Sequence, residues 1–195
     1  MGEFGRLKLF EALGLLEEHI RTLDGRPVVL VVCGGSALMA CRFVSRTTHD
    51  VDVVALVDQS QNLIDPEPLP HTLIRAATLV ADTLGLSQDW LNTGPADLFR
   101  MGPPIGFQDR LVQHKIGEYL SVFFISRLDQ IHFKLYASVD RGGYHIEDLL
   151  ALNPTEDELV AAARWTTTHD VSEGFLMLLK KLLGSLGYGV VAQRI

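Results

Sequence analysis

Two short segments constrain this chain more than any others. The apolar run Val28-Val29-Leu30-Val31-Val32-Cys33 passes directly into Gly34-Gly35-Ser36, and Asp50-Val51-Asp52 opens a second apolar run that continues to Val57. The first run is short, unbroken and rich in β-branched residues, which suits a strand covered on both faces. Residues 36–43 have helix-favouring composition, and residues 51–57 return to a strand-like pattern. The unit reads as strand, glycine turn, helix, strand. Because side chains alternate along a strand, Asp50 and Asp52 are expected on one face, with Val51 and Val53 directed into the packing on the other.

That arrangement points to a chemistry. Two parallel carboxylates repel each other, and one is driven toward its protonated form unless a cation accompanies them. Carboxylate oxygen is the ligand Mg²⁺ prefers, and Mg²⁺ is usually held by one or two carboxylates while substrate phosphates complete its shell. Paired glycines let a backbone approach a ligand closely, and amides at a helix start, with Ser36 beside them, can receive a triphosphate. Alone, Gly-Gly after a strand is often only a tight turn, and Asp-x-Asp at a strand edge is often only solvated. Their ordered combination is far more specific, and it makes Gly34, Gly35 and Ser36 candidates for phosphate binding and Asp50 and Asp52 candidates for holding Mg²⁺. His49 beside them reads as a solvated loop histidine, and Trp90 and Trp165 read as packing residues.

Around this block the pattern is of alternating helices and short strands. Leu9, Leu13, Leu16, Ile20 and Leu23 lay an apolar stripe along a helix over residues 6–23, which Asp24-Gly25 ends with the glycine expected in the left-handed conformation. Pro66, Pro68 and Pro70 mark a loop, and Leu69, Leu73, Ala77, Val80 and Leu84 form a further helical stripe stopped by Gly85. A Gly- and Pro-rich loop covers residues 94–106, and residues 111–115 and 119–125 read as a hairpin turning through Gly117. Ser126 and Thr155 each carry the pattern of a helix N-cap. Leu128, Ile131, Leu135 and Val139 supply the apolar face of the helix after Ser126, and Val171, Phe175, Leu178, Leu182 and Leu186 that of the last one. The expected organisation is an α/β (α+β) fold with a mixed central sheet flanked by helices, a core over residues 1–125, and a helical C-terminal region, 126–195, packed on it.

Composition sets the remaining bounds. An apolar fraction of 47% with 21% charged residues is that of an ordinary globular chain, and 195 residues suffice for a real core. Cys33 and Cys41 lie in apolar surroundings without metal spacing and read as free thiols of a reducing compartment. No apolar stretch is long enough to span a membrane, and Met1-Gly2-Glu3-Phe4 lacks a signal-peptide plan, so a cytoplasmic protein without membrane contact is expected. A net charge of −7 disfavours polyanionic partners, since phosphate binding is driven by Lys and Arg releasing counterions.

The block Gly34-Gly35-Ser36 to Asp50-Val51-Asp52-Val53 resembles the signature of the DNA polymerase β-like nucleotidyltransferase superfamily. Within it, Arg46-x-Thr48-x-Asp50-Val51-Asp52, with the later Phe133-Lys134-Leu135-Tyr136-Ala137, Arg141 and Asp148-Leu149, resembles the AbiEii-like minimal nucleotidyltransferases, which include toxins of toxin-antitoxin pairs. The resemblance spans roughly residues 30–165. It implies Ser36 on the phosphates, Arg46 and Thr48 in the nucleotide site, Mg²⁺ on Asp50 and Asp52, Lys134 toward the triphosphate, and Asp148 as a further catalytic acid or base. Where relatives commonly carry Arg/Lys-Asp before the Asp-Leu pair, this chain has Glu147-Asp148-Leu149. Many members of the superfamily add a third carboxylate from a neighbouring strand; Asp109, Glu118 and Asp129 compete for that place, with Asp129 the weakest because helix capping explains it.

The expected activity is Mg²⁺-dependent transfer of an NMP from an NTP such as ATP to an acceptor hydroxyl of tRNA, protein or a small molecule. The acidic chain favours the latter two over tRNA, and an antitoxin protein is a partner the resemblance implies. The rival reading is a catalytically inactive nucleotide- or partner-binding module on the same fold. A dinucleotide-binding Rossmann unit is disfavoured because no Gly-x-Gly-x-x-Gly opens the helix.

Overall fold

The first helix, α1 (Arg6–Thr22), forms where the apolar stripe places it and fully buries Leu9, Leu13, Leu16 and Ile20. Its end differs from expectation. Asp24, at φ 52°, takes the left-handed conformation, and the Gly25 amide donates to the Ile20 carbonyl at 2.9 Å. Gly25 is needed for space, because a Cβ there would stand 2.8 Å from the methyl groups of Ile20 and Thr72. The computed structural model describes residues 5–195, so Met1–Phe4, on which the signal-peptide reading rests, lie outside the described residues.

β1 (Val28–Cys33) runs into α2 (Gly34–Ala40), and β2 (Val51–Val57) follows. α2 starts two residues before the expected 36–43 and stops at Ala40. Asp50 stands just ahead of β2 rather than within it. β3 (Leu63–Ile64), α3 (His71–Leu84), β4 (Leu91–Asn92) and α4 (Ala96–Arg100) come next, then a 3-10 turn (Gln108–Arg110) and the hairpin β5 (Val112–Lys115) and β6 (Leu120–Phe124). Gly85, at φ 63°, closes α3 as read from the sequence. The described strands form one mixed sheet in the order β3-β2-β1-β6-β5, with β4 also on β2. β1 is antiparallel to β2 and parallel to β6, and β2 is parallel to β4. This is the mixed α/β architecture that the resemblance implies.

Leu30 to Cys33 of β1 and Val53 to Leu56 of β2 are buried, which is why those stretches are continuously apolar. α1 packs against α2, α3 and β6. Trp90 is fully buried, and its indole N–H donates to the Ala77 carbonyl at 2.9 Å, so it is a packing residue with its polar atom satisfied. Cys33 is buried and Cys41 half-buried, both as free thiols, and burial pushes the Cys41 thiol up from its ordinary value.

After Ser126 the chain enters a second unit built of α5 (Arg127–Asp140), α6 (Tyr144–Ala151), α7 (Glu156–His169), α8 (Glu173–Ser185) and α9 (Gly189–Gln193). Arg127 ties three of these ends together. Its guanidinium donates to the Leu152 and Asn153 carbonyls at 2.8 and 2.7 Å, past the end of α6, and to Glu158 Oε1 at 2.6 Å in α7. Thr155 and Glu158 complete a capping box at the start of α7. Trp165 stacks on Phe133 with ring centres 5.5 Å apart and meets the edges of His132 and Tyr136, so it too packs.

Two helices of this unit depart from the expected stripes. α8 buries Phe175, Leu179 and Leu183, whereas Val171 precedes the helix at 87% exposure and Leu178 is 49% exposed. α5 is buried almost all round from Asp129 to Leu135, so it also buries Gln130, His132 and Lys134, which a single apolar face did not anticipate.

Candidate active site

The register of the two central strands builds the site. Cys33 pairs with Asp52 and Val32 with Val53, so the chain leaving β1 turns beside the second residue of β2. Gly34 adopts φ 69°, a left-handed conformation that glycine takes without steric cost, and any Cβ there would overlap the Asp52 carboxylate. The space above Gly34 is therefore filled by Asp52 itself. A Cβ on Gly35 would stand 2.9 Å from Thr48 Oγ1 and 3.1 Å from an Arg46 guanidinium nitrogen. The double glycine thus accommodates Asp52, Thr48 and Arg46, three of the side chains singled out from the sequence.

Asp50 and Asp52 are both half-buried and flank the buried Val51, with Val53 also buried, as strand alternation requires. The Thr48 hydroxyl lies 3.2 Å from Asp50 Oδ1 and 3.5 Å from the Asp50 carbonyl. Thr48 is itself 5% exposed. Arg46 donates to the Thr47 carbonyl at 3.0 Å. Ser36 is fully buried, and its hydroxyl donates to the Cys33 carbonyl at 3.3 Å within the turn. His49 is exposed.

Lys134 and Asp148 belong to the second unit, where they bond to each other, Nζ to Oδ2 at 2.7 Å. The Lys134 ammonium also stands 5.7 Å from the centre of the Tyr144 ring. Of the acids considered for a third carboxylate, Asp109 is in the 3-10 turn, Glu118 is exposed between β5 and β6, and Asp129 is fully buried on α5. None stands on β1 or β4, the strands that pair with β2 at Asp52.

Two features escaped sequence reasoning. β4 pairs Asn92 with Asp52, and the Asn92 side-chain carbonyl accepts from the Gly94 amide at 2.9 Å. A two-residue strand has no period by which to be found. On α5, Gln130 and Ser138 stand four residues either side of Lys134, 0% and 4% exposed, and among the described residues the Gln130 amide and the Ser138 hydroxyl make no hydrogen bond. A buried polar group left unpaired costs about 1–3 kcal/mol, which hydropathy patterns do not register.

No helix among the described residues is long and apolar enough to cross a membrane. No curated protein and no solved structure matches the chain. One family profile, described as a nucleotidyltransferase of unknown function (DUF6036), matches residues 7–168, which contain the β1 to β2 block and both Lys134 and Asp148. The chain therefore belongs to this nucleotidyltransferase family.

Proposed function

We propose that the protein is a Mg²⁺-dependent enzyme that moves an NMP from an NTP to an acceptor hydroxyl. The observation that carries this reading is the pairing of Cys33 with Asp52, which sets a half-buried carboxylate directly over Gly34 and two residues from a second one, Asp50. The donor set suits Mg²⁺. Two hard carboxylate ligands are on hand, and among the described residues no group of three His, Cys, Asp or Glu side chains is placed to enclose an ion. A pair of carboxylates leaves most of an octahedral shell to substrate phosphates and water, which is how Mg²⁺ is held in phosphoryl-transfer sites. When bound, the ion would neutralise charge on the transferring phosphoryl group.

The chain's own residues carry the rest. Asp50 and Asp52 would hold the metal, and the Arg46 guanidinium, which lies beside Gly35, supplies positive charge suited to phosphate oxygens. The acceptor oxygen forms a bond to the α-phosphorus, the bond from that phosphorus to the oxygen leading to the β-phosphate breaks, and pyrophosphate leaves with the electron pair. Asp52 is our candidate for taking the acceptor proton. Ser36, buried and bonded to Cys33, supports the turn in this reading instead of touching the phosphates.

The Arg46-x-Thr48-x-Asp50-x-Asp52 spacing supports an AbiEii-like subtype, and with it an antitoxin protein as partner. The net charge of −7 supports a protein or small-molecule acceptor over tRNA. A catalytically quiet nucleotide-binding module is the second reading. It is favoured by the engagement of Asp148 with Lys134 and by the absence of an acid from the β1 and β4 positions that pair with Asp52.

Thermal unfolding with each of the four NTPs, with and without Mg²⁺, tests the site, because a ligand of the native state raises apparent stability. A Mg²⁺-dependent rise that Asp50→Asn and Asp52→Asn lack is expected. No rise with any NTP would overturn the assignment. Nucleotide incorporation by the parent protein, lost in the same variants, separates the enzyme from the quiet module.

A further inference from the structure

The two acids of the site are held by different means. Asp52 is fixed by the sheet, paired with Cys33 on one side and Asn92 on the other. Asp50 precedes the first residue of β2 and has no such support from strand pairing. What reaches it is Thr48, whose hydroxyl stands 3.2 Å from its Oδ1. Thr48 is 5% exposed, so its side chain is committed to the protein interior and offers little surface to a ligand.

We infer that Thr48 is a positioning residue that aims the Asp50 carboxylate, and that Gly35 is the space kept open for it. The inference rests on the reading of Asp50 and Asp52 as Mg²⁺ ligands and deepens it. A threonine suits the task because its branched Cβ leaves few χ1 rotamers, so the hydroxyl keeps one direction. That hydroxyl gives one hydrogen bond to an acceptor-only group, and the carboxylate retains lone pairs for a cation. Gly35 completes the device, since a Cβ there would press on Thr48 Oγ1 at 2.9 Å. The Arg46 guanidinium near the same point can swing away on its long side chain, but a threonine hydroxyl moves only by changing rotamer and leaving Asp50.

The role predicts a defect in metal use without loss of nucleotide recognition. Residues that orient metal ligands typically change metal affinity about 10–100-fold when lost. For Thr48→Val, which removes the hydroxyl at nearly constant volume, the Mg²⁺ concentration giving half of the NTP-induced rise in unfolding temperature should increase about tenfold or more. At saturating Mg²⁺ its NTP affinity should match the parent's. Thr48→Ser keeps the hydroxyl and should stay within about threefold of the parent, as expected if the bond and not the methyl group matters. Gly35→Ala should shift in the same direction as Thr48→Val.

The experiment is a Mg²⁺ titration of NTP-dependent thermal unfolding, using ATP, GTP, CTP and UTP in turn, on the parent, Thr48→Val, Thr48→Ser, Gly35→Ala and Asp50→Asn. An unchanged Mg²⁺ midpoint in Thr48→Val, with the response lost in Asp50→Asn, overturns the inference and leaves the metal site standing. Reduced NTP affinity at saturating Mg²⁺ overturns it in favour of direct contact with the nucleotide. No Mg²⁺-dependent response in the parent removes the metal site and the inference with it. If Thr48→Val does not fold, a parent-like Thr48→Ser and a right-shifted Gly35→Ala support the inference, and a parent-like Gly35→Ala overturns it.

Discussion

Lys134 and Asp148 form an ion pair in which Nζ and Oδ2 are 2.7 Å apart and the two side chains are 5% and 2% exposed. Burying two charges is repaid only by good geometry, and removing one partner strands the other, at a cost of about 3–5 kcal/mol. Asp148→Asn should therefore lower the unfolding free energy in urea by an amount of that order. Lys134→Met combined with Asp148→Leu should recover most of the loss, because an apolar pair of similar volume needs no compensation. Urea unfolding of the parent and both variants measures this, and a double variant no more stable than Asp148→Asn would show that the position does not accept an apolar pair.

Gly34 shows how closely the turn is fitted to the acid opposite. At φ 69° an alanine meets a backbone cost of about 1–2 kcal/mol, and its Cβ would also collide with the Asp52 carboxylate. Gly34→Ala should destabilise by at least that amount and displace Asp52, so the Mg²⁺-dependent NTP response should disappear even under conditions where the variant is folded. Circular dichroism for the fold and the thermal response for the site separate the two effects. A folded Gly34→Ala protein with a parent-like response would show that the position of Asp52 does not matter to binding.

Acid should loosen the second unit at Glu158. Hydrogen bonding from Arg127, with further bonds from Thr155, holds its carboxyl below its ordinary value of 4.5. A carboxyl depressed in the folded state stabilises the protein above its unfolded pKa, and that stabilisation is lost as pH falls through the folded value. Glu158→Gln should thus cost about 1 kcal/mol at neutral pH. The gap between the parent and Glu158→Gln should then close as the pH is lowered from about 5. Urea unfolding at a series of pH values measures this, and a gap constant down to acid pH would show that the charge contributes nothing.

How much of this was legible in the sequence depended on whether one segment alone could carry the signal. β1 is visible because it is continuously apolar and rich in β-branched residues, β2 because an apolar run follows Asp52, and α3 because Gly85 closes a regular stripe. The purpose of Gly34 was not visible. In the sequence a double glycine signals room for a ligand, whereas pairing Cys33 with Asp52 places a carboxylate over Gly34, and a register belongs to two strands at once. β3 and β4 are two residues each, too short for any period. On α5, Gln130 and Lys134 point inward, and a hydropathy stripe assigns such residues to solvent. The two acids of the candidate site are legible by type and spacing, while the hydrogen bond from Thr48 to Asp50 depends on how the loop before β2 folds.

α8 gives the sharpest test of what periodicity leaves undecided. The segment carries adjacent leucines at 178 and 179 and again at 182 and 183, so two apolar stripes one residue apart are equally regular. Packing selects Phe175, Leu179 and Leu183, and leaves Leu178 49% exposed beside Met177 at 66%. Leu179→Ala removes a fully buried side chain and should cost about 2–5 kcal/mol, with the spread set by how far the surroundings collapse into the cavity. Leu178→Ala trims an exposed side chain on a helix that alanine favours, and should change stability by no more than about 0.5 kcal/mol. Urea unfolding of the two variants side by side measures the difference. Equal losses, or a larger loss at 178, would mean that α8 presents its other stripe to the interior and that the helix is rotated by about one residue.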